Sequence, residues 1–216
     1  MASGGGSNSN KKKVIVYIDG QNFYHSVRDT FGQKFDAKYT NFWKLAEFLS
    51  GSQDLELVGV KYYTAHYPFE VDPEKNRQDQ AAFDRWKAQG VKIELGIFKT
   101  HPSQPPVEKG VDVRLAIDLV VDGFSGYYNR AYVLSKDSDI VPAISKIRQL
   151  KSNAEVYCVT LDNKPPSDYR SQCNGHVPIY KSTYKKCYEG QTAPATEAGI
   201  SALKSKFSKQ NHRKST

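Results

Sequence analysis

The sequence predicts an α/β fold built on a central, mainly parallel sheet. Two observations carry this. Five short runs rich in Val, Ile, Leu and Tyr recur along the chain, and helical stretches lie between most of them. Strands separated by helices imply β-α-β units, which set strands parallel in one sheet. A third observation draws attention to one edge of that sheet: aspartates stand where the apolar runs end or the helices begin.

The elements follow in order. VIVYI (14–18) is a continuous apolar run, as suits a strand covered on both faces. In NFYHSVRDTF (22–31) and NFWKLAEFLS (41–50), apolar residues recur at three- and four-residue spacing, the mark of a helix with one buried face. LELVGVKYYTA (55–65) is the second β-run. DPEKNRQDQAAFDRWKAQG (72–90) opens on Asp-Pro and closes at Gly90, a start and a stop signal for a helix. VKIELGIF (91–98) reads as the third strand and VDVRLAIDLVVDGF (111–124) as a strongly apolar helix. AYVLS (131–135) is the fourth strand. SDIVPAISKIRQL (138–150) is a helix with Asp139 placed as an N-cap, and AEVYCVTL (154–161) is the fifth strand. There is no internal repeat. Residues 13–188 read as one domain. Residues 1–12 read as a disordered leader and residues 189–216 as a basic disordered tail without periodicity.

Composition narrows the class. A chain of 216 residues suits one domain with a sizeable core. No apolar stretch approaches the ~20 residues of a membrane span. The leader MASGGGSNSNKKK carries basic residues but no apolar segment, so it does not read as a signal peptide. Cys158, Cys173 and Cys187 are odd in number and form no CxxC pair, which argues against a disulfide framework or a zinc knuckle. A cytoplasmic protein without a membrane partner is the expectation. The net charge is +8, but three lysines in residues 1–13 and a net +4 in residues 191–216 leave only +1 for residues 14–190. The basic excess sits on the ends, where it can hold a polyanion by counterion release or simply favour solubility.

The acids carry the chemistry. VIVYIDGQN (14–22) puts Asp19 directly after the first strand. KGVDVRLAID (109–118) puts Asp112 at a helix mouth and Asp118 inside that helix. AYVLSKDSDI (131–140) puts Asp137 and Asp139 just beyond the fourth strand. Open parallel sheets bind ligands outside the carboxyl ends of their strands. Acids that converge there repel one another unless a cation holds them, and oxygen donors suit hard ions such as Mg2+ or Mn2+. Such sites most often handle phosphates. Each acid also has a plainer reading: Asp19-Gly20 is a common turn pair, and Asp112 and Asp139 can cap helices. Asp118 lies among Leu115, Ile117, Leu119 and Val121, so its helix reads as well buried, and a buried carboxylate needs a partner. Six residues separate it from Asp112, about 120° around an ideal helix, which puts shared ligation in question.

Other phosphate chemistries fit poorly. After the first strand, DGQNFYH supplies one glycine, too few for a dinucleotide fingerprint, and no phosphate-cradling lysine loop is present. The haloacid-dehalogenase pattern needs an acid two residues after Asp19, where Gln21 stands. Asp137-Ser138-Asp139 is formally a D-x-D, a weak signal alone. The five histidines are scattered; His25 and His66 are candidates to face the site, with surface or core filler as the alternative reading.

At this point three segments resemble a known family. I-D-G-x-N (Ile18 to Asn22), K-G-V-D-V-x-L-A-x-D (Lys109 to Asp118) and S-x-D-S-D (Ser135 to Asp139) look like the NYN domain, a branch of the PIN-like nuclease superfamily that includes LabA-like proteins. The resemblance covers roughly residues 13–182. It implies a PIN-like, Rossmannoid three-layer α/β/α sandwich and a Mg2+- or Mn2+-dependent endoribonuclease, acting on RNA rather than DNA. Carried over by position, Asp19, Asp112, Asp137 and Asp139 match the catalytic, metal-holding acids. Asp118 matches a further motif acid, and Asn22 the polar residue after the first strand.

The chain departs from the family pattern S-G-D-S-D-F at Lys136 and Ile140. Lys136 would set a cation beside the acids, gripping a phosphate or partly replacing a metal. Lys109, Lys136 and Arg77 are candidates for phosphate contacts, with ordinary surface charge as the alternative. Tyr62, Tyr63, Tyr67 and Phe69 either stack unpaired bases or pack the strand and its loop. Two other classes stay open: an RNA-binding module with little catalysis, and a regulatory scaffold. A homodimer is also open.

Overall fold

β1 (Lys12–Asp19) lies at the centre of a six-stranded sheet. On one side it pairs with β2 (Leu55–Thr64), which pairs with β3 (Lys92–Leu95). The hairpin strands β4 (Ile97–His101) and β5 (Gln104–Lys109) stand apart from this sheet. On its other side β1 pairs with β6 (Arg130–Leu134), followed outward by β7 (Glu155–Thr160) and β8 (Gly175–Pro178). All five pairings are parallel, in the order β3-β2-β1-β6-β7-β8. The direction of winding reverses between β1 and β6, which makes their carboxyl ends the topological switch point of the sheet. This computed structural model describes residues 11–101, 104–150 and 153–190. Most of the expected leader and nearly all of the expected tail fall outside the described residues.

Helices cover both faces, giving the α/β/α sandwich. β1 explains why. Val14, Val16 and Ile18 point into one apolar layer, and Ile15 and Tyr17 into the other; all five are at most 1% exposed. Alternation along a strand sends successive side chains to opposite faces, so a run buried throughout requires two covers. The first cover is α1 (Gly20–Phe31), α2 (Phe42–Leu49), α3 (Pro73–Ala88) and α7 (Lys181–Cys187), through residues such as Phe23, Phe42, Trp86 and Tyr184. The second is α4 (Val111–Ser125), α5 (Val141–Leu150) and α6 (Ser167–Gln172), through Leu115, Leu119, Ile144, Ile147 and Tyr169. Among the described residues no helix is long and apolar enough to cross a membrane.

Three differences from the sequence reading have local causes. The third β-run divides at Gly96: β3 joins the sheet, while β4 leaves it to form an antiparallel hairpin with β5. A Cβ at Gly96 would lie 2.7 Å from the Lys109 carbonyl oxygen and 2.5 Å from the Val111 side chain. Only glycine permits that approach. Second, α6, β8 and α7 escape the pattern because they are short, and β8 is a half-buried GHVP edge with little alternation to read. Third, α4 is not buried all round. Leu115 and Leu119 are fully buried, but Ile117 and Val121 are 55% and 56% exposed.

Candidate active site

The carboxyl edge of β1 and β6 gathers the acids. Asp19 is the last residue of β1 and caps α1, accepting the N–H of Asn22 at 3.0 Å. Ser135, the first residue beyond β6, donates its hydroxyl to the other oxygen of Asp19 at 2.8 Å. The same hydroxyl accepts the N–H of Asp137 at 3.0 Å. Asp137 caps a 3-10 turn, Ser138–Ile140, by accepting the N–H of Asp139 at 2.9 Å, and its carbonyl oxygen accepts the Tyr169 hydroxyl at 2.7 Å. Asn22 ties the two loops together, accepting the Lys136 N–H at 3.1 Å. The close pairing of β1 with β6, Ile18 opposite Leu134, brings these groups within reach of one another.

Asp112 arrives from a third segment. Gly110 sits at φ 78°, a left-handed conformation that lets the chain turn from β5 directly into α4, with Asp112 in its first turn. Electrostatics link it to the others. Burial, then the charges of Asp137 and Asp139, push the Asp112 carboxyl above its ordinary range. Asp19, 3% exposed, is raised to about 6, chiefly by burial, with Asp112 and Asp137 adding repulsion against its two hydrogen bonds. Among the described residues, no lysine or arginine forms an ion pair with any of these four acids. Glu108, next to the end of β5, belongs to the same field: burial, then Asp19 and Asp112, raise its pKa. Sequence reading missed it, because its place depends on a hairpin that periodicity does not reveal.

Asp118 lies elsewhere. It accepts the Lys61 ammonium at 3.1 Å and the Tyr63 hydroxyl at 2.8 Å. Asp122, one turn on, accepts Lys61 at 2.7 Å and the Tyr17 hydroxyl at 2.7 Å. Burial opposes the Lys61 charge, yet hydrogen bonds to Asp122 and Asp118 hold its pKa above the ordinary value. This cluster ties α4 to β2 and already contains its cation. Asp118 was expected beside or behind the other acids; the partner this half-buried carboxylate has is Lys61.

The other candidates separate in the same way. The Lys136 ammonium turns from the acids to Asp162, 3.0 Å away beyond β7, so it adds no cation to the cluster. Lys109 is exposed at the end of β5. Arg77 pairs with Glu74 at 3.0 Å on the exposed side of α3, as a surface charge. Tyr62 and Tyr63 are core residues, 5% and 0% exposed. Tyr67 is half-buried beside the site, and Phe69 is exposed. His66 is structural, bonded to the Asn76 carbonyl at 3.0 Å, whereas His25 is exposed on α1.

An oxygen-only donor set with mutual repulsion and no internal cation fits a hard divalent ion in its chemistry. As the side chains stand, no three Asp, Glu, His or Cys residues among those described are closed into a metal-holding group.

The comparisons accord with this geometry. The model of the NYN domain family matches residues 13–180. The chain belongs to the NYN domain family. That places it in the PIN-like nuclease superfamily, whose substrates are nucleic acids. A solved structure of a Vibrio parahaemolyticus protein of unknown function is similar in fold, with a TM-score of 0.59 and 18% identity over 83% of this chain and 96% of that one. At that identity the likeness concerns the fold alone. No curated protein matches this NYN chain.

Proposed function

We propose that this NYN chain is a Mg2+- or Mn2+-dependent nuclease that hydrolyses phosphodiester bonds in RNA. One observation carries the reading. Four aspartates from three segments share an electrostatic field at the switch point of the sheet, and among the described residues no lysine or arginine pairs with them. The neighbouring Asp118–Asp122 pair, built with Lys61, is what the fold does when acids serve structure.

The residues divide the work. Asp19 is held on both oxygens, by the Asn22 N–H and the Ser135 hydroxyl, so its orientation is set before substrate arrives. Asp137 is likewise fixed by its own turn, while Asp139 is exposed and able to adjust. Asp112 closes the site from α4. A divalent cation, when bound, supplies an activated water near neutral pH and neutralises charge on the phosphate. The opening turns of α1 and α4 add N–H groups and the positive ends of two helix dipoles, which suit an anionic substrate. No histidine base is required. Asp19, Asp112, Asp137 and Asp139 are assigned to cation binding, and Asn22 and Lys109 to the substrate side.

The side chains do not form a closed metal-holding group as they stand, and this favours a second reading: an RNA-binding module with little catalysis. One assay separates the two. Labelled single-stranded RNA, duplex RNA and single-stranded DNA are incubated with the full chain in Mg2+, in Mn2+ and in chelator. Internal cleavage of RNA that needs the added ion supports the nuclease. Binding without cutting at every ion concentration would replace it with the binding module.

A further inference from the structure

A cleft of about 400 Å3, lined by none of the four switch-point acids, adjoins them through Gly20 and through Glu108, which shares their field. It begins at Gly20 and Gln21, immediately after Asp19, and runs between α1, β2, α3 and the β4–β5 hairpin. Its volume falls within the range of small-ligand pockets, roughly 300–1,000 Å3. Tyr67 and Phe98 form an aromatic wall, their rings 5.2 Å apart and edge to face. Glu108 also lines it, its carboxylate receiving the Ala65 N–H and facing Lys75. Lys75 is exposed and lays its ammonium 3.8 Å from the centre of the Tyr67 ring, showing that a cationic or flat group can rest on that face. Trp86 lies in the lining, 3% exposed.

We propose that this cleft receives one unpaired nucleobase, that of the nucleotide adjoining the phosphate at Asp19, stacked on Tyr67 and read at its N–H edge by Glu108. The inference rests on the nuclease reading for the position of the phosphate. Three features select a base as the occupant. The cleft is continuous with the acid edge, so a nucleotide whose phosphate lies at Asp19 has its base within reach. Its wall is aromatic, and every base offers a flat π-face for stacking. Among its polar groups, the Glu108 carboxylate beside Tyr67 and Phe98 is an acceptor on both oxygens and asks for N–H donors. Guanine presents two neighbouring N–H donors on its pairing edge, whereas uracil presents one beside two carbonyl acceptors that a carboxylate repels. The cleft therefore prefers guanine to uracil. It admits a base only when that edge is unpaired, so single strands are accepted and duplexes are not. A base on Tyr67 takes the place of the Lys75 ammonium and frees it for the phosphate backbone.

The test needs no cleavage. In a Trp43→Phe background Trp86 is the only tryptophan, since the chain has two. Its fluorescence is followed while guanosine 5′-monophosphate or uridine 5′-monophosphate is added in chelator. Guanosine monophosphate should bind at least tenfold more tightly. Tyr67→Leu, which keeps bulk but removes the ring, should weaken binding about tenfold without changing the melting temperature. Glu108→Gln should erase the preference, because an amide offers uracil one donor and one acceptor. Equal binding of both nucleotides by the wild type, or binding unaltered in Tyr67→Leu, overturns the proposal. The same titration is repeated with Asp139→Asn. Base binding should be kept there, because the cleft does not use that acid; base binding by a wild type that cuts no RNA at any Mg2+ or Mn2+ concentration leaves the cleft standing and removes the nuclease. RNA cleavage that proceeds equally at abasic and guanine positions does the reverse.

Discussion

Helix α4 carries two acidic groups that the fold treats in opposite ways. At its mouth, Asp112 faces Asp137 and Asp139, and the group contains no cation among the described residues. Two turns on, Asp118 and Asp122 close around the Lys61 ammonium and the hydroxyls of Tyr63 and Tyr17. The second group is a finished structure, and its charges are answered within the chain. The first is left open at the edge where α/β sheets bind ligands, and none of the described residues relieves its repulsion as an added cation would. A group that stores repulsion is costly to keep unless it acts, whereas a group that answers its own charges needs no other explanation.

Substitutions at the two groups should therefore fail in different currencies. The largest effect is expected on cleavage. Asp139→Asn should lower the ion-dependent rate on the order of 10²–10³-fold, the loss seen when one charge-stabilising group is removed from an active site. RNA affinity should stay equal or rise, because the amide also removes repulsion toward phosphate. Asp118→Asn is the control, with a rate close to wild type; a loss as large as that of Asp139→Asn would bring Asp118 back among the site acids. Next in size is Lys61→Met. It strands two half-buried carboxylates and should destabilise the fold by about 3 kcal/mol, at the low end for a broken buried pair because Asp118 keeps some solvent contact. Denaturant unfolding measures it, and a change under about 0.5 kcal/mol would mean the pair contributes no more than an exposed surface ion pair.

The sequence made one of these groups legible and not the other. Asp19, Asp112, Asp137 and Asp139 could be placed because each follows a strand or opens a helix, and parallel topology fixes where such positions meet. The three-layer architecture was readable for a similar reason, since VIVYI leaves no polar face for solvent. The partner of Asp118 was not legible, because apolar neighbours in sequence do not report which side of a helix faces the core. Ile117 and Val121 are exposed, and the partner of Asp118 is 57 residues away on β2. Glu108 and the cleft were invisible because they depend on the turn at Gly96. The Lys136 ammonium was assigned to the wrong neighbours because its partner Asp162 follows a strand 26 residues later. Ionic partners across a sheet are set by pairing order, which no local window contains.

A third prediction concerns the open group alone, in chelator. The Asp19 carboxyl is raised from 3.8 to about 6 in the folded chain. A raised acid pKa means that the folded state holds the proton more tightly than the unfolded one. The stability it confers is complete below about pH 4 and is lost as pH rises through 6. The shift of about two units corresponds to roughly 3 kcal/mol at most. Asp19→Asn does not titrate and keeps the oxygen that caps α1, although it weakens the Ser135 contact. Its stability relative to wild type should rise by about 2 kcal/mol between pH 4 and pH 7. A flat difference across that range would show that neither burial nor the neighbouring acids raise the Asp19 carboxyl. Added Mg2+ or Mn2+ should raise the melting temperature of the wild type more than that of Asp112→Asn, since an ion that binds only the folded state stabilises it.

The smallest effect is expected at Lys136, the residue that departs most from the family pattern. If its ammonium replaced part of a metal, Lys136→Met would change ion dependence sharply. The ammonium instead lies 3.0 Å from Asp162, and what the acid loop takes from Lys136 is its backbone N–H, bonded to Asn22 at 3.1 Å. Both side chains are about 30% exposed, so the pair contributes at most about 1 kcal/mol. Methionine keeps the backbone bond and removes only the charge, so Lys136→Met should change the cleavage rate less than about threefold, which is under 1 kcal/mol in the barrier. Asp162→Asn is the sharper partner experiment. It releases the ammonium beside the acids, and the ion concentration needed for half-maximal cleavage should rise, because a mobile lysine now competes for the same carboxylates. A large effect of Lys136→Met together with none from Asp162→Asn would show that the lysine already serves the open group, and the contrast between the two acidic clusters of this NYN domain would fail at that point.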